Sequence, residues 1–325
     1  MCEYINNLGM SLKFNMPMIR KFGFGLMLLA LHVSGCQPDP VVETIPAGGF
    51  SFFVVSDMGS TGPYREDSVA HTVNSMSKII HPKFVINQGD FFHDQGVKDV
   101  HDSLWGAQFE RMFTAPELNV KWYSIIGNHE YIGNPQALVD YSKVSSRWTM
   151  PARNYTFVQQ VDSATTIRFV MIDTSPFLYS YHRDAKYHEV NLQDPDKTVA
   201  FADSVLAQSH ETWKVVIGHH PIYTSDFNHG ITYELIGEIE PLLKKYHVDF
   251  YLNGHVHKFE HLSRDGIDYM ITSTGVKPRW SNPWFFTRYV KKSLGFTVCH
   301  VDSKEFSFFF VNEKGETLYS YRRKK

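Results

Sequence analysis

The stretch FVINQGDFFHDQG, Phe84 to Gly96, passes from an apolar run through Gly89 to a carboxylate at Asp90 and an imidazole at His93. Its first residues are aromatic and β-branched, which reads as a buried strand. The glycine ends that strand in a turn where the backbone can take positive φ and approach a neighbour closely. Four further segments follow the same grammar: FFVV before Ser56-Asp57, WYSII before Gly127-Asn128-His129, WKVVI before Gly218-His219, and DFYLN before Gly254-His255. Their polar ends lie 33, 38, 91 and 36 residues apart, room for a helix and a return between successive strands. Amphipathic stretches at Asp67–Ile80 and Ile236–Tyr246 suit those crossovers. Strands separated by helices, with polar groups at the strand ends, predict an α/β fold with its site on the carboxyl edge.

The longest gap holds two more strand patterns, Tyr155–Val161 and Arg168–Ser175, and the tail FSFFFVNEKGETLYSYRR alternates about an Asn-Glu-Lys-Gly turn as a hairpin does. A second sheet follows from these, giving a layered sandwich. The 325 residues, 43% hydrophobic, suffice for one large core. Without a repeat or a second linker after Phe50, residues 50–325 read as one domain, expected to be a monomer. A formal net charge of −2 with no long run of either sign gives no electrostatic case for nucleic acid as partner.

The N-terminal segment reads differently. Arg20 and Lys21 precede the apolar run Phe22–Val33, and VSGC closes it at Cys36. The run is too short to span a bilayer, so residues 1–35 read as a signal peptide, with Met16 or Met18 as a natural start, and 36–49 as a tether. The motif resembles the lipobox of bacterial lipoproteins. It implies lipidation of Cys36, export, and anchoring to a membrane facing the periplasm or the cell surface. Cys299 is then left without an intrachain partner, so packing rather than disulfides must hold the fold.

Together the strand ends offer Asp57, Asp90, His93, Asn128, His219, His255 and His257. Two carboxylates, an amide oxygen and four imidazoles suit Zn, Fe or Mn rather than Ca. Seven donors exceed what one catalytic ion takes; they suit two ions sharing a carboxylate, the arrangement that clamps a phosphoryl group. Each piece alone has a plain explanation: a turn for Gly-Asp, two histidines on one strand face for His-x-His, a helix cap for Asn-His-Glu. Five such pieces in order, each after an apolar run, do not.

The pattern D…GD…GNH[DE]…GHxP…GHxH resembles the calcineurin-like metallophosphoesterases. WYSIIGNHEYIGN, DYSKVSSRW, FVMIDTS, GHHPIY and YLNGHVHKFEHL are similar to purple acid phosphatases of the small tartrate-resistant type. That resemblance implies a four-layer α/β/β/α sandwich, two mixed sheets flanked by helices. It implies a phosphoric monoester hydrolase, acid phosphatase-like, acting on small phosphorylated substrates by attack of metal-bound hydroxide on phosphorus. By position, Asp57, Asp90 and His257 would hold one ion, with Asp90 bridging, and Asn128, His219 and His255 the other. His129 and His229 would bind phosphate and protonate the leaving alkoxide. A phosphodiesterase or nucleotide hydrolase shares fold and ligands, and a non-catalytic lipoprotein binding phosphorylated ligands is a further alternative.

Two departures stand out. The family's GDNFY reads GDFFH here, so His93 replaces the tyrosine that ligates ferric iron and Phe91 replaces an asparagine; the loop between His219 and His229 is also one residue longer. Neutral imidazole in place of phenolate favours divalent metals. The expected centre is therefore two divalent ions, colourless, with a pH optimum moved from acidic toward neutral or alkaline. Glu130 is expected to support its turn, Tyr141 and Trp148 to pack, and His101, His220 and His261 to be structural or surface residues.

The N-terminal reading carries its own test. Cys36→Ser should shift the protein from the membrane to the soluble fraction of cells, and undiminished membrane association would contradict lipidation.

Overall fold

The apolar segments form the parallel centres of two sheets. The computed structural model describes residues 45–60, 67–226, 230–280, 282–284 and 286–325, so the segment around Cys36 lies outside the described residues. The described residues fall within one unit, Pro38–Lys325. In spatial order the first sheet runs Thr317–Lys324, Glu305–Asn312, Gly295–Val301, Phe50–Val55, Val85–Asn87, Trp122–Ser124 and Trp148–Thr149. The last four of these are parallel and the others antiparallel. The second sheet runs Thr287–Lys291, Phe259–Arg264, Ile267–Ile271, Phe250–Asn253, Trp213–Ile217, Thr166–Met171 and Tyr155–Gln160, with its middle four parallel. Both sheets are mixed, as expected, and the tail forms the expected hairpin.

Side-chain alternation explains why the sheets stack. Phe169, Met171, Val215, Ile217, Phe250 and Leu252 join the core shared with the first sheet, whereas Val170, Ile172, Val216 and Tyr251 pack with Leu206, Leu235 and Leu243 of the helices. Successive residues of a strand face opposite ways, so these continuous apolar runs cover both faces, as parallel strands require. Aromatic rings fill the space between the sheets: Phe306 lies 4.4 Å from Phe250 and 5.8 Å from Trp213, and Phe169 lies 5.6 Å from both Phe52 and Phe84. The helix Asp67–Ile80 buries Val69, Ala70, Val73 and Met76 on one stripe, the spacing of an amphipathic helix. Tyr141 stacks on Trp105 at 3.6 Å, and Trp148 is buried beside them.

Two elements differ from the sequence expectation. The helix expected over Ile236–Tyr246 is two short ones, Tyr233–Glu238 and Glu240–Lys245, because Pro241 has no N–H for the helical ladder and its ring crowds the preceding turn. The strand expected to reach Ser175 ends at Met171, and the chain then turns through Ser175–Phe177.

At the end of the sandwich opposite the strand C-termini, the last strand clamps the two sheets. Arg323 reaches from the first sheet to Asp268 at 2.9 Å and Asp249 at 3.3 Å in the second. Burial by itself would raise the Asp268 pKa, but hydrogen bonding and charge from His261, with Arg323, hold it below the ordinary carboxylate value. A carboxylate with a depressed pKa stabilises the fold above its unfolded pKa, and that contribution drains away as pH falls through the folded value. Arg323→Ala should cost about 3 kcal/mol and move acid unfolding to higher pH, read by thermal and acid melts. An unchanged acid midpoint would contradict the clamp.

Candidate metal centre

Register brings the polar turns together. Val55 pairs with Asn87 and Asn87 with Ser124, so Asp57, Asp90 and Asn128 leave one edge side by side; Ile217 pairs with Leu252, which does the same for His219 and His255. Four of these turn residues have left-handed backbones: Asp57 (φ 52°), Asp90 (φ 49°), His255 (φ 71°) and His257 (φ 53°). Each costs roughly 1–3 kcal/mol in a residue with a side chain and persists only where surroundings over-determine it.

The hydrogen bonds that hold them are specific. Glu130 is buried and accepts from the N–H groups of Asp90 (2.9 Å), Gly127 (2.8 Å) and Phe92 (3.2 Å), so one carboxyl pins two turns. Burial, with repulsion from Asp90, pushes its pKa up to about 7. The turns also pack too closely for a side chain at their glycines. A Cβ on Gly127 would sit 2.2 Å from Asp90 Oδ1, and one on Gly254 1.8 Å from Ser56 Oγ.

Asp90 Oδ1 accepts from the His129 N–H at 2.8 Å, while Oδ2 lies 3.1 Å from His219 Nε2. His219 Nδ1 donates to the Gln88 carbonyl at 2.7 Å, and His257 Nδ1 to the Lys277 carbonyl at 2.9 Å. Each bond fixes its ring so that Nε2 turns inward, as in metal-binding histidines whose other ring nitrogen donates to a carbonyl. His257 Nε2 stands 3.1 Å from Asp57 Oδ1 and 3.0 Å from His93 Nε2. Among the described residues, four sets of possible donors have ligand atoms within 4.8 Å of one another: Asp57–His93–His257, Asp90–His93–His129, Asp57–Asp90–His219 and His219–His220–His255.

Burial alone would raise the pKa of Asp90, but His219 and His129 outweigh it and hold the carboxyl well below the usual range; His257 does the same for Asp57. Burial pulls against a charge on His219, yet Asp90 lifts it to about 10. His93 goes the other way, since burial drives it to about 4 despite Asp90. It is therefore neutral at physiological pH, the form that ligates metal.

Whether the site suits metal is tested by its unsatisfied atoms. Asn128 Oδ1 is buried and makes no hydrogen bond, and Asp57 Oδ1 and His219 Nε2 make none of good geometry, each meeting only another candidate ligand, His257 Nε2 and Asp90 Oδ2, at 3.1 Å. A buried polar atom without a well-formed hydrogen bond costs free energy, about 1–3 kcal/mol where it has no partner at all, and three such atoms at one junction of two sheets fit cations as the missing partners. Oxygen and imidazole donors together suit Zn, Fe or Mn.

Of the other singled-out residues, His129 stacks on His93 at 4.1 Å and is 26% exposed, so it faces the opening. A cavity of about 900 Å³ is lined there by His93, His129 and His257. His220 is buried against Thr174 Oγ1 (2.9 Å) and Tyr181 OH (3.0 Å), and His261 against Asp268 and Tyr319, while His101 is exposed. His229 lies outside the described residues. The sequence reading missed Tyr187, whose hydroxyl accepts from Asn128 Nδ2 at 3.5 Å and so turns the amide oxygen away from it. Tyr187 sits in the longest gap, where no motif marks it.

Comparison with known proteins agrees with this arrangement. A family profile described as calcineurin-like phosphoesterase matches residues 50–259. Purple acid phosphatase 7 of Arabidopsis thaliana is 32% identical over 284 residues, covering 84% of this chain and 85% of its own. Tartrate-resistant acid phosphatase type 5 of Oryctolagus cuniculus is 29% identical over 323 residues, covering 91% and 96%. Among solved structures, GAP50, the anchor in the inner membrane complex of Plasmodium, superposes with a TM-score of 0.73 at 19% identity, covering 85% of this chain and 89% of that one, a likeness of fold.

Proposed function

The chain belongs to the calcineurin-like phosphoesterase family, with purple acid phosphatases among its relatives, and from that membership we propose that it hydrolyses phosphate monoesters at a two-ion centre. The observation that carries the reading is the set of three buried atoms without a well-formed hydrogen bond, Asp57 Oδ1, Asn128 Oδ1 and His219 Nε2, which stand at the family's motif positions. Asp57, Asp90, His93 and His257 would hold one ion, and Asp90, Asn128, His219 and His255 the other. Bound ions of this kind supply Lewis acidity toward phosphoryl oxygens and lower the pKa of water.

The chain's own groups do the rest. Asp90, pinned by the His129 N–H, keeps the two donor sets at a fixed separation. His129, stacked on His93 and open to the cavity, is placed to bind a phosphoryl oxygen and to offset its charge. His229 is assigned the proton for the leaving alkoxide. The neutral state of His93 and its 3.0 Å approach to His257 Nε2 support the reading of His93 as the ligand in the tyrosine place. Export and a lipid anchor at Cys36, motivated by VSGC, would put the activity at the cell envelope. A phosphodiesterase or nucleotide hydrolase would share this centre and differ in what fills the cleft.

Purified protein with two metals per chain should release phosphate from phenyl phosphate and lose that activity on chelation; full metal content without hydrolysis of any monoester would contradict the reading. Iron-loaded protein should show no strong visible band, whereas His93→Tyr should gain one and move its optimum toward acid. A strong band in the parent protein would remove His93 from its assigned role.

A further inference from the structure

The strap GVKPRW, Gly275–Trp280, leaves the strand Ile267–Ile271 and runs along the cavity mouth. It is tied to two of the candidate ligands by its backbone. Gly275 N donates to the Asp57 carbonyl at 3.1 Å, the Lys277 carbonyl accepts from His257 Nδ1 at 2.9 Å, and Arg279 N donates to the His257 carbonyl at 2.7 Å. Pro278 fixes φ between the two basic residues. Lys277 and Arg279 line the cavity that His93, His129 and His257 also line, with Lys98 as a third cation.

Two carboxylates share that cavity, Asp94 and Asp102. Asp94 accepts from Ser60 Oγ at 2.8 Å, and Asp102 from the N–H groups of Lys98 and Leu104, both at 3.0 Å, so each is engaged in holding its own loop. Among the described residues that line the cleft, three cations stand against two carboxylates, and the two cations on the strap are carried by backbone bonded to the site. At about 900 Å³ the cavity is far larger than one phosphate needs and is of the size that takes a drug-sized ligand. A guanidinium and an ammonium together suit a phosphate, the first through paired N–H donors and the second as a point charge.

We propose that Lys277 and Arg279, with Lys98, form a second anion subsite beside the His93 end of the centre, and that the preferred substrates carry a second phosphoryl group besides the one cleaved. This rests on the phosphatase reading above. The second phosphoryl group binds through charge and hydrogen bonding and is not itself attacked; in pyrophosphate it departs as the leaving phosphate with the bridging oxygen.

The test compares metal-loaded wild type with the Lys277→Ala/Arg279→Ala double variant on phenyl phosphate and on inorganic pyrophosphate. Loss of charge-assisted bonds should lower kcat/KM for pyrophosphate at least about tenfold more than for phenyl phosphate, mainly through KM, and Arg279→Lys should recover part of it. Equal losses on both substrates, or none, would overturn the subsite. Should neither protein hydrolyse phenyl phosphate, the phosphatase reading fails, and calorimetric binding of pyrophosphate then decides the subsite separately: weaker in the variant supports it, unchanged refutes it. If the double variant does not fold, Arg279→Gln read the same two ways replaces it.

Discussion

Asp57 joins the two sheets, and the rest of the site is arranged around that junction. Its N–H donates to Gly89 beside it in the first sheet, its carbonyl accepts from Gly275 N and Thr274 Oγ1, and its carboxylate accepts from Ser56 and from the His255 N–H. One residue therefore takes part in the strand-end turns of both sheets, and it does so with a left-handed backbone. The second bridge is His219, whose Nδ1 donates to the Gln88 carbonyl across the same gap. Both tighten the junction while leaving Asp57 Oδ1 and His219 Nε2 without a well-formed hydrogen bond inside it. A fold that buries such atoms at the point where its layers meet sacrifices stability there, and a cation recovers it.

Electrostatics set what that cation can be. Depressed carboxyls at Asp57 and Asp90 stay ionised in a buried place only because imidazoles surround them. His93 is neutral through burial and stacks against His129. A phenolate in its place would add a negative charge and call for a more highly charged ion to balance it. Imidazole there leaves two carboxylates, which two divalent ions match without a ferric centre.

Much of this was legible in the sequence because it is local. A strand, a glycine and a polar residue occupy adjacent positions, and the helix Asp67–Ile80 and the C-terminal hairpin carry their periodicity within a dozen or so residues. The chain also signalled where its own pattern would fail, since Pro241 lies inside the stretch expected to be one helix. What stayed hidden depends on distant pairs. Glu130 was expected to support its turn, but that it also holds the Asp90 turn requires knowing that two strands are parallel neighbours. Tyr187 and the Lys277–Arg279 strap reach the site from loops whose spacing follows no period, so only the folded chain shows them there.

The central claim is that two ions occupy this junction and that His93 ligates one of them. Anomalous diffraction from crystals of the metal-loaded protein tests it most directly. The account predicts two peaks between the sheet edges, flanking the Asp90 carboxylate, one of them within bonding distance of His93 Nε2. A single peak, or two peaks with His93 turned away and water in its place, would contradict it.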